Sequence, residues 1–377
     1  MMDVFFYGTL CHAPLRSVVL GHEVGAEPAT LADHAVCRAR GGDFPLIVPQ
    51  TGAAAAGMLV RGLTPDDVAR LDFYEAGFAF QTRDLPVQAN GEVTARVYIA
   101  DTGRWQTAGV WSLADWQAAH GQTVVATAAD VMALYGTRPP ETVLSRYGSM
   151  LVRGASRVRA AQAAPITRRF AAAAGDVNIA ARRHPYADFF AVEEYDLRHR
   201  RFDGTLGAQI TRAAFVMGDA VTVLPYDPVR DRVLLIEQFR AGPLARGDAQ
   251  PWLLEAIAGR VDPGETPEDA ARREAEEEAG LTLGALVPVA GYYPSPGAVS
   301  EYLYSYIALT DLPDGTAGVF GLAGEAEDIR GHLLTFDAAM GLVTSGEINN
   351  APLLLSLLWL QNDRPRLRRH DPATPPT

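Results

Sequence analysis

The stretch that decides the fold is residues 259–281, GRVDPGETPEDAARREAEEEAGL. Two glycines, Glu265, Arg273-Glu274 and Glu277-Glu278 fit the spacing G-x5-E-x7-R-E-U-x-E-E-x-G-U, in which U is a bulky or aliphatic residue. Seven fixed residue types at ordinary usage make a chance match on the order of 10⁻⁶ in a chain of this length. The pattern is therefore a specific signal, and we call residues 259–281 the box.

The box predicts a loop followed by a helix over about Pro267–Ala279. Thr266 is a good N-cap, proline suits the first helical position, and Asp269 stands where a capping-box acid belongs. Gly280 supplies a left-handed stop at the C-terminal end.

Glu274, Glu277 and Glu278 are spaced i, i+3, i+4 and so share one helix face. In a cleft with an effective dielectric near 20, two carboxylates about 6 Å apart repel by about 3 kcal/mol. A hard divalent cation reverses that sign, and oxygen-only ligands favour Mg²⁺, with Mn²⁺ as the alternative, over Zn²⁺. A solvated acidic face is the ordinary explanation of a charge run, and the flanking glycines and Arg273 argue against it here.

This spacing resembles the Nudix box. The resemblance implies an α/β/α sandwich with a mixed sheet, a divalent metal, and hydrolysis of a nucleoside diphosphate linked to another moiety. It implies that Arg273 and Glu265 pair and brace the loop against the helix. The metal ligands that it implies within and next to the box are Glu274, Glu277, Glu278 and the carbonyl of Ala258.

The flanking segments narrow the resemblance to the ADP-ribose pyrophosphatase subgroup over about residues 183–362. They are FFAVEEYDLRHRRF, LPYDPVRD, IEQFR, PWLLEAIAG and Ser295-Pro296-Gly297 with Glu301 following. Phe189 matches the aromatic that stacks on adenine, and Gly297 lies in the substrate loop. Arg212 and Arg240 match substrate-binding arginines, which suit a diphosphate because guanidinium groups donate in pairs.

Two further details bear on the subgroup. The usual Arg-Arg-Glu before the second strand is Thr211-Arg212-Ala213 here, so one glutamate contact to substrate is missing. The segment GLAGEAEDIRGH carries Glu325, which matches the residue that positions or deprotonates the attacking water. It also carries Glu327, which matches a residue that reaches a metal in the enzymes of that subgroup. A loop with paired acids suits closure over bound substrate, and a solvated acidic loop is the alternative.

The N-terminal third carries a second signal. YGTL (7–10), the segment LVRGLTPDDVARLDFYE and the strand VYIA resemble the γ-glutamylcyclotransferase-like (AIG2-like) family over roughly residues 3–125. A glycine turn presents backbone N–H groups to a carboxylate, and one carboxylate can shuttle a proton between amines. The resemblance implies that Glu75 is the general acid/base. The carboxylate-binding residues that it implies are Tyr7, Gly8, Thr9 and Leu10.

Length and composition predict a two-domain chain. Its 377 residues carry a net charge of −12, which argues against non-specific nucleic-acid binding, and its two cysteines exclude a disulfide framework. We find no signal peptide or membrane span and expect a cytoplasmic protein. The expected fold is an α+β γ-glutamylcyclotransferase-like domain plus an α/β/α Nudix sandwich with a mixed sheet. The expected ranges are 1–136 (cyclotransferase-like), 137–182 (helical linker), 183–364 (Nudix) and 365–377 (flexible tail).

Three functions remain open from the sequence. The first is Mg²⁺-dependent hydrolysis of ADP-ribose, or a related ADP-sugar, to AMP and ribose 5-phosphate by a homodimer that forms through the Nudix domain. The second is γ-glutamyl amine cyclotransferase activity as the main function. The third is a nucleotide-sugar sensor without turnover, against which the complete carboxylate set argues. The domain pairing also resembles a bacterial group associated with tellurite resistance, a phenotype that gives no mechanism.

Overall fold

The computed structural model of this chain describes residues 1–78, 80–100, 104–321 and 327–369. The chain divides into two compact units, Met1–Arg212 and Ala213–Thr377. No helix within the described ranges is long and apolar enough to cross a membrane. We describe each unit by itself.

The first unit is built on a closed sheet with the strand order β3-β1-β5-β4-β2, which a β2–β3 pairing completes, and β6 lies beside β2. Strand β1 runs parallel to β5, whereas the pairs β1–β3, β2–β3, β2–β4, β2–β6 and β4–β5 are antiparallel. Alternate residues such as Phe5, Leu59 and Val97 fill the interior of the closed sheet. The strands are β1 (Met2–Phe6), β2 (Glu27–Ala39), β3 (Pro45–Leu63), β4 (Phe80–Ala89), β5 (Gly91–Ala100) and β6 (Thr107–Val110).

Helices pack against one side of this sheet around a second apolar core. Thr64 and Asp67 form a reciprocal capping box at the start of the second helix. Val143 and Met150, which fall in the expected linker, are buried in this core. The helices are α1 (Ala13–Leu20), α2 (Pro65–Glu75), α3 (Leu113–Trp116), α4 (Gln122–Met132), α5 (Pro140–Leu144) and α6 (Tyr147–Ala160). Short 3₁₀ turns occupy Thr9–Cys11 and Ala76–Phe78, and a π-helical turn occupies Gln117–Gly121.

A three-stranded sheet, β7-β8-β9, follows the helices. Its strands are β7 (Val177–Ala187), β8 (Ala191–His199) and β9 (Ile210–Val216), and β9 crosses the division between the two units. The compact division thus falls after Arg212, whereas the family resemblance begins at about residue 183. The two boundaries differ because one follows packing within the chain and the other follows sequence likeness.

The second unit is an α/β/α sandwich, as the sequence predicts. Its mixed sheet has the order β14-β15-β10-β11-β17-β16, with β12 beside β11 and β13 beside β10. The central pair β10–β15 is parallel, and a hairpin within YDPVRD joins β10 to the antiparallel β11. The strands are β10 (Ala220–Asp227), β11 (Arg232–Phe239), β12 (Trp252–Glu255), β13 (Ile257–Arg260), β14 (Leu286–Tyr292), β15 (Leu303–Leu309), β16 (Val319–Phe320) and β17 (Ile329–Thr335).

Helices cover both faces of this sheet. The box helix packs its buried alanines with Val221 and Val223 on one face, and the last two helices pack with Leu224 and Tyr226 on the other. Successive side chains of β10 point to opposite faces of the sheet, so one set contacts the box helix and the other set contacts the last two helices. The helices are α7 (Ala241–Arg246), α8 (Pro267–Ala279), α9 (Phe336–Ser345) and α10 (Ala351–Leu367).

Candidate active sites

The box forms the predicted loop and helix. Helix α8 spans Pro267–Ala279, the Thr266 side chain accepts a hydrogen bond from the Asp269 amide, and Gly280 is left-handed with φ 61°. Apart from Glu278, the buried residues of α8 are alanines, whose small side chains let the helix lie close to the sheet. The glutamates therefore project along the side of the helix, next to β13.

Arg273 braces the loop against the helix, as the sequence predicts. Its Nη2 donates to Glu265 Oε1 at 2.8 Å and to the Arg260 carbonyl at 2.9 Å. Its Nη1 donates to Glu274 Oε1 at 2.7 Å and to Glu277 Oε2 at 3.0 Å. One guanidinium group thus fixes the loop and two of the three acidic side chains at once.

Glu278 is 2% exposed and receives one hydrogen bond, from the Ala258 amide to Oε2 at 3.0 Å. Burial, together with the nearby charges of Glu274 and Glu327, raises the pKa of Glu278 to about 8. Burial also raises the pKa of Glu274 to about 7, despite its contact with Arg273. These carboxyl groups share a site in which their negative charge is poorly compensated.

The same residues fit a divalent cation. A Cβ atom at Gly259 would lie 1.8 Å from Glu274 Oε1, so the glycine is what makes room for this carboxylate against β13. Every donor is a hard oxygen, the type that Mg²⁺ and Mn²⁺ prefer. Within the described ranges, the three box glutamates do not place one carboxylate oxygen each within 4.8 Å of the other two. Arg273 draws two of them to itself, so shared coordination needs side-chain rotation.

Arg240 lies beside these carboxylates. Its Nε donates to Glu255 Oε2 at 2.8 Å. Burial alone lowers the pKa of Arg240, but attraction to Glu255, and more weakly to Glu278 and Glu327, raises it overall. Glu301 faces the same arginine, and burial raises the pKa of its carboxyl group. The second unit therefore brings Arg240 together with the predicted metal ligands.

The substrate loop at Ser295-Pro296-Gly297 is attached to the sheet through Phe215. The Phe215 amide donates to the Ala298 carbonyl at 2.7 Å, and the Ser300 amide donates to the Phe215 carbonyl at 3.0 Å. Gly297 itself is exposed, with open space around its Cα. The loop thus has a fixed base and an exposed tip.

Four other residues were predicted for this site: Phe189, Arg212, Glu325 and Glu327. Phe189 lies in the first unit, 46% exposed, with its ring 4.7 Å from that of Phe190. Arg212 is the last residue of that unit, exposed, and donates to the Thr211 carbonyl at 2.9 Å. Glu325 lies outside the described residues, whereas Glu327 is described and partly buried. The roles of these residues stay predictions.

A buried charged cluster in the first unit offers a different candidate for a metal. Atoms of Asp130, His184 and Glu193 lie within 4.8 Å of one another. Arg157 Nη1 donates to Asp130 at 2.8 Å, and Arg182 Nε donates to Glu193 at 3.0 Å. Despite burial, contacts with His184 and Arg182 lower the pKa of Glu193. Because arginines already balance both carboxylates, we interpret the cluster as an ion-pair network.

The YGTL turn of the first unit follows strand β1. Tyr7 is buried and donates from its hydroxyl to the Tyr98 carbonyl at 2.7 Å. Gly8 packs on Pro45 so closely that a Cβ atom would lie 2.3 Å from the proline Cγ. The 3₁₀ turn Thr9–Cys11 then closes with a bond from the Cys11 amide to the Gly8 carbonyl at 2.9 Å. Glycine is required here by close packing.

Glu75 ends helix α2 and lies among tyrosines. Part of the residue reaches the surface, but burial of its carboxyl group raises the pKa to about 8. The charge of Glu75 acts on Tyr7, Tyr74, Tyr98 and Tyr147. The fold therefore brings the predicted acid/base residue close to the first residue of the YGTL turn.

Comparison with known proteins finds two family matches in this chain. Residues 217–356 match the NUDIX domain model, and residues 4–118 match the model of gamma-glutamyl cyclotransferase, AIG2-like. A protein named ADP-ribose pyrophosphatase from Escherichia coli strain K12 is 44% identical over 187 residues, covering 49% of this chain and 88% of the relative. The chain belongs to the Nudix family. We refer to residues 217–356 as the Nudix domain.

Other relatives of the Nudix domain carry two different names. A Haemophilus influenzae protein named ADP-ribose pyrophosphatase is 35% identical over 52% of this chain and 90% of its own length. A Salmonella paratyphi B protein named GDP-mannose pyrophosphatase is 35% identical over 40% of this chain and 77% of its own length. Both names describe cleavage of a nucleoside diphosphate sugar.

The structure adds site residues that the sequence reading did not assign. Glu255 holds Arg240 across the β11–β12 pairing, and the strand pattern alone did not identify its partner. Tyr74, Tyr98 and Tyr147 surround Glu75 from helix α2, strand β5 and helix α6. Tyr147 lies beyond the residues that match the cyclotransferase model. No local motif marks it, because its neighbours are distant in sequence.

We predict that Glu75 makes the first unit less stable as pH rises. In the folded state its pKa is raised from 4.5 to about 8, so folding retains a proton that the unfolded chain releases. The stabilisation is complete below pH 4.5 and is lost as pH rises through about 8. Between pH 5 and 8, the free energy of unfolding should fall by about 2–4 kcal/mol more in the parent than in Glu75→Gln.

Denaturant unfolding at several pH values measures this difference. The relevant transition is the one that added Mg²⁺ does not shift, since the predicted metal ligands lie in the second unit. Glu23→Gln, which makes the same chemical change at an exposed position of the first unit, should follow the parent. Parallel pH profiles for the parent and Glu75→Gln would contradict a buried protonated carboxyl group.

Proposed function

We propose that the Nudix domain hydrolyses the diphosphate of ADP-ribose, or of a related ADP-sugar, to AMP and ribose 5-phosphate. The observation that carries the proposal is the set formed by the buried Glu278 and the partly buried Glu274 and Glu327, next to Arg240. Such a set can bind cations that in turn bind a diphosphate, while the arginine offers paired donors to phosphate oxygens. The names of the E. coli and H. influenzae relatives support the choice of substrate.

The metal of this proposal is Mg²⁺, with Mn²⁺ as the alternative. When bound, such an ion lowers the pKa of a coordinated water and offsets charge that develops at the diphosphate. The residues that would hold it are Glu274, Glu277, Glu278, Glu327 and the carbonyl of Ala258. Arg273 would then orient two of these ligands, since it already contacts Glu274 and Glu277.

Arg240 has a separate part in the proposed reaction. Glu255 fixes the guanidinium at Nε, which orients the remaining N–H groups without using all of them. Held in this way, Arg240 would bind the diphosphate in a fixed pose. Phe189 would stack on adenine and Arg212 would add a second guanidinium, while Glu325 would position the attacking water. Gly297 would let the substrate approach the loop backbone.

We further propose that the active form is a homodimer. Sheet β7-β8-β9 and its surroundings expose large apolar side chains, among them Val177, Ile179, Tyr186 and Phe189, each about half exposed. Apolar clusters of this kind are typical of association surfaces. Sedimentation equilibrium should give twice the mass of the 40.5 kDa chain. A monomeric mass with full turnover would contradict the dimer and leave the reaction standing.

A substrate panel tests the proposed reaction. Purified protein with Mg²⁺ is given ADP-ribose, ADP-glucose, GDP-mannose, NADH or diadenosine phosphates, and nucleoside monophosphate release is measured. We expect ADP-ribose to give the highest kcat/KM. Ala213 replaces the glutamate that the resemblance leads us to expect, so we also expect measurable turnover of ADP-glucose. Turnover of none of these compounds would favour a sensor without catalysis.

Gly259→Ala tests how the box glutamate is placed. The added methyl group would overlap the Glu274 carboxylate, so it should displace that side chain and lower kcat/KM for ADP-ribose by about 10–100-fold. The backbone tolerates the change, because Gly259 does not have a positive φ. The matched control is Gly341→Ala in α9, where a Cβ atom meets open space. If Gly259→Ala and Gly341→Ala were equally active, the space that Gly259 leaves for the Glu274 carboxylate would not be needed for activity.

A second candidate function belongs to the first unit, because Glu75 retains a proton near neutral pH beside the YGTL turn. We propose that this unit cyclises γ-glutamyl amines to 5-oxoproline. The α-amino nitrogen attacks the γ-carbonyl carbon, a lactam C–N bond forms, and the bond to the departing amine breaks. In its ionised form, Glu75 would take the proton from the attacking nitrogen, and it would then return that proton to the departing amine.

A further inference from the structure

A buried ion-pair network, which neither proposed reaction uses, joins the β7–β8 hairpin to helices α4 and α6. On the helices, Asp130 is 4% exposed, and Arg157 donates to it at 2.8 Å. On the hairpin, Glu193 is 1% exposed, and Arg182 donates to it at 3.0 Å. Arg157 also donates to Glu193 at 3.2 Å. Arg182 likewise donates to Asp130 at 3.3 Å. We call these four residues the hairpin network.

The hairpin network resists any sliding of the hairpin along the helices. Each arginine contacts one carboxylate on the helices and one on the hairpin, so such a movement separates buried opposite charges. The network lies entirely between residues 118 and 217, outside both ranges that match a family model. It is therefore a feature of the segment that joins the two families in this chain.

The same helical layer holds the tip of the hairpin. Arg146, directly before α6, forms an ion pair with Asp188, whose amide donates to the Phe190 carbonyl at 2.8 Å. Ala191, the first residue of β8, is 2% exposed. Phe189 lies between these held residues, yet it is 46% exposed and meets the Phe190 ring edge-on. A large aromatic ring that is held at the surface is suited to stacking on a flat ligand.

We propose that the hairpin network and the Arg146–Asp188 pair position Phe189 for stacking on the adenine ring of the substrate. Their members are positioning residues, because they act on the ligand only through the hairpin. This role rests on the proposed hydrolysis of ADP-ribose and on the stacking proposed for Phe189. It adds that the segment outside both family matches sets how tightly the adenine half of the substrate binds.

Two ligands that differ in adenine separate positioning from general damage. Calorimetry with Mg²⁺ measures how the full-length chain binds AMP, which carries adenine, and ribose 5-phosphate, which does not. We expect Arg157→Met to weaken AMP binding about tenfold, within the range of one stacking contact, and ribose 5-phosphate binding by no more than about twofold. With ADP-ribose, KM should rise by a similar factor while kcat stays nearly unchanged. Arg157→Lys should restore part of the loss, and the exposed change Arg138→Met should follow the parent.

A double-mutant cycle shows whether the effect passes through the Phe189 ring. Phe189→Leu should weaken AMP binding by about the same factor as Arg157→Met. When both changes are combined, the second should add no more than about a twofold loss, because residues that act through one contact are not additive. Losses that multiply to about a hundredfold would overturn the role, as would unchanged AMP binding in Arg157→Met.

The remaining outcomes are also decided by AMP binding. If circular dichroism shows that Arg157→Met does not fold, Arg146→Met replaces it in the same cycle, since both side chains of the Arg146–Asp188 pair are about half exposed. If the parent releases no AMP from ADP-ribose, the proposed hydrolysis fails, and the cycle with AMP alone decides the role of the network. A folded parent that binds no AMP would overturn that role as well.

Discussion

Glu278→Gln is expected to lower AMP release from ADP-ribose by about 10²–10³-fold or more, which corresponds to about 3–4 kcal/mol of lost transition-state stabilisation. The glutamine keeps the shape of the side chain and can still accept the hydrogen bond from the Ala258 amide. It loses the charge that would hold the metal. The folded state should not suffer, because Glu278 is buried and its raised pKa shows that its charge is costly there.

The matched control is Glu276→Gln. Glu276 lies on the same helix α8, two residues earlier, but it is exposed and outside the acidic face formed by Glu274, Glu277 and Glu278. The Glu276→Gln variant should therefore release AMP at the parental rate. Single-turnover AMP release at saturating Mg²⁺ and titration of Mg²⁺ separate lost chemistry from weakened metal binding. If Glu278→Gln and Glu276→Gln were equally active, the metal role of Glu278 would be refuted.

Glu75→Gln is expected to reduce 5-oxoproline release from γ-glutamyl amines by about 10²–10⁴-fold, the usual contribution of a general acid/base. Glutamine fills the same space among the tyrosines but cannot carry a proton between the two nitrogens. Binding of 5-oxoproline should remain, because the YGTL turn is unchanged. Glu23→Gln, an exposed change in the same unit, should release 5-oxoproline at the parental rate.

Two outcomes separate the claims about this unit. If the parent and Glu75→Gln release 5-oxoproline equally fast, Glu75 is not the acid/base residue. If the parent releases none from a set of γ-glutamyl amines, the cyclotransferase proposal fails for those substrates. Neither outcome affects the Nudix domain, whose predicted metal ligands lie in a different compact unit.

Local sequence was enough to predict the box in detail. Thr266, Pro267 and Gly280 fix the two ends of α8 through capping, and the spacing of its glutamates fixes their common face. The pairing of Arg273 with Glu265 was implied by the resemblance to the Nudix box, and the structure contains it. Interactions of this range are decided by neighbouring residues and need little knowledge of the fold.

Contacts between distant elements were not predictable in the same way. Glu255 reaches Arg240 only through the register of β11 and β12, and Tyr147 comes near Glu75 only because α6 and α2 contribute to the same apolar core. The sequence placed α6 in a helical linker, although the Ala- and Arg-rich segment without clear apolar periodicity begins only after this helix.

The most direct test of the account is the product analysis of one reaction. Purified protein is incubated with ADP-ribose and Mg²⁺, and the products are quantified by ion-exchange chromatography. We predict AMP and ribose 5-phosphate in a 1:1 ratio, with formation abolished by EDTA and restored by Mg²⁺. Absence of both products at saturating substrate and metal, from protein whose fold is intact, would contradict the central claim.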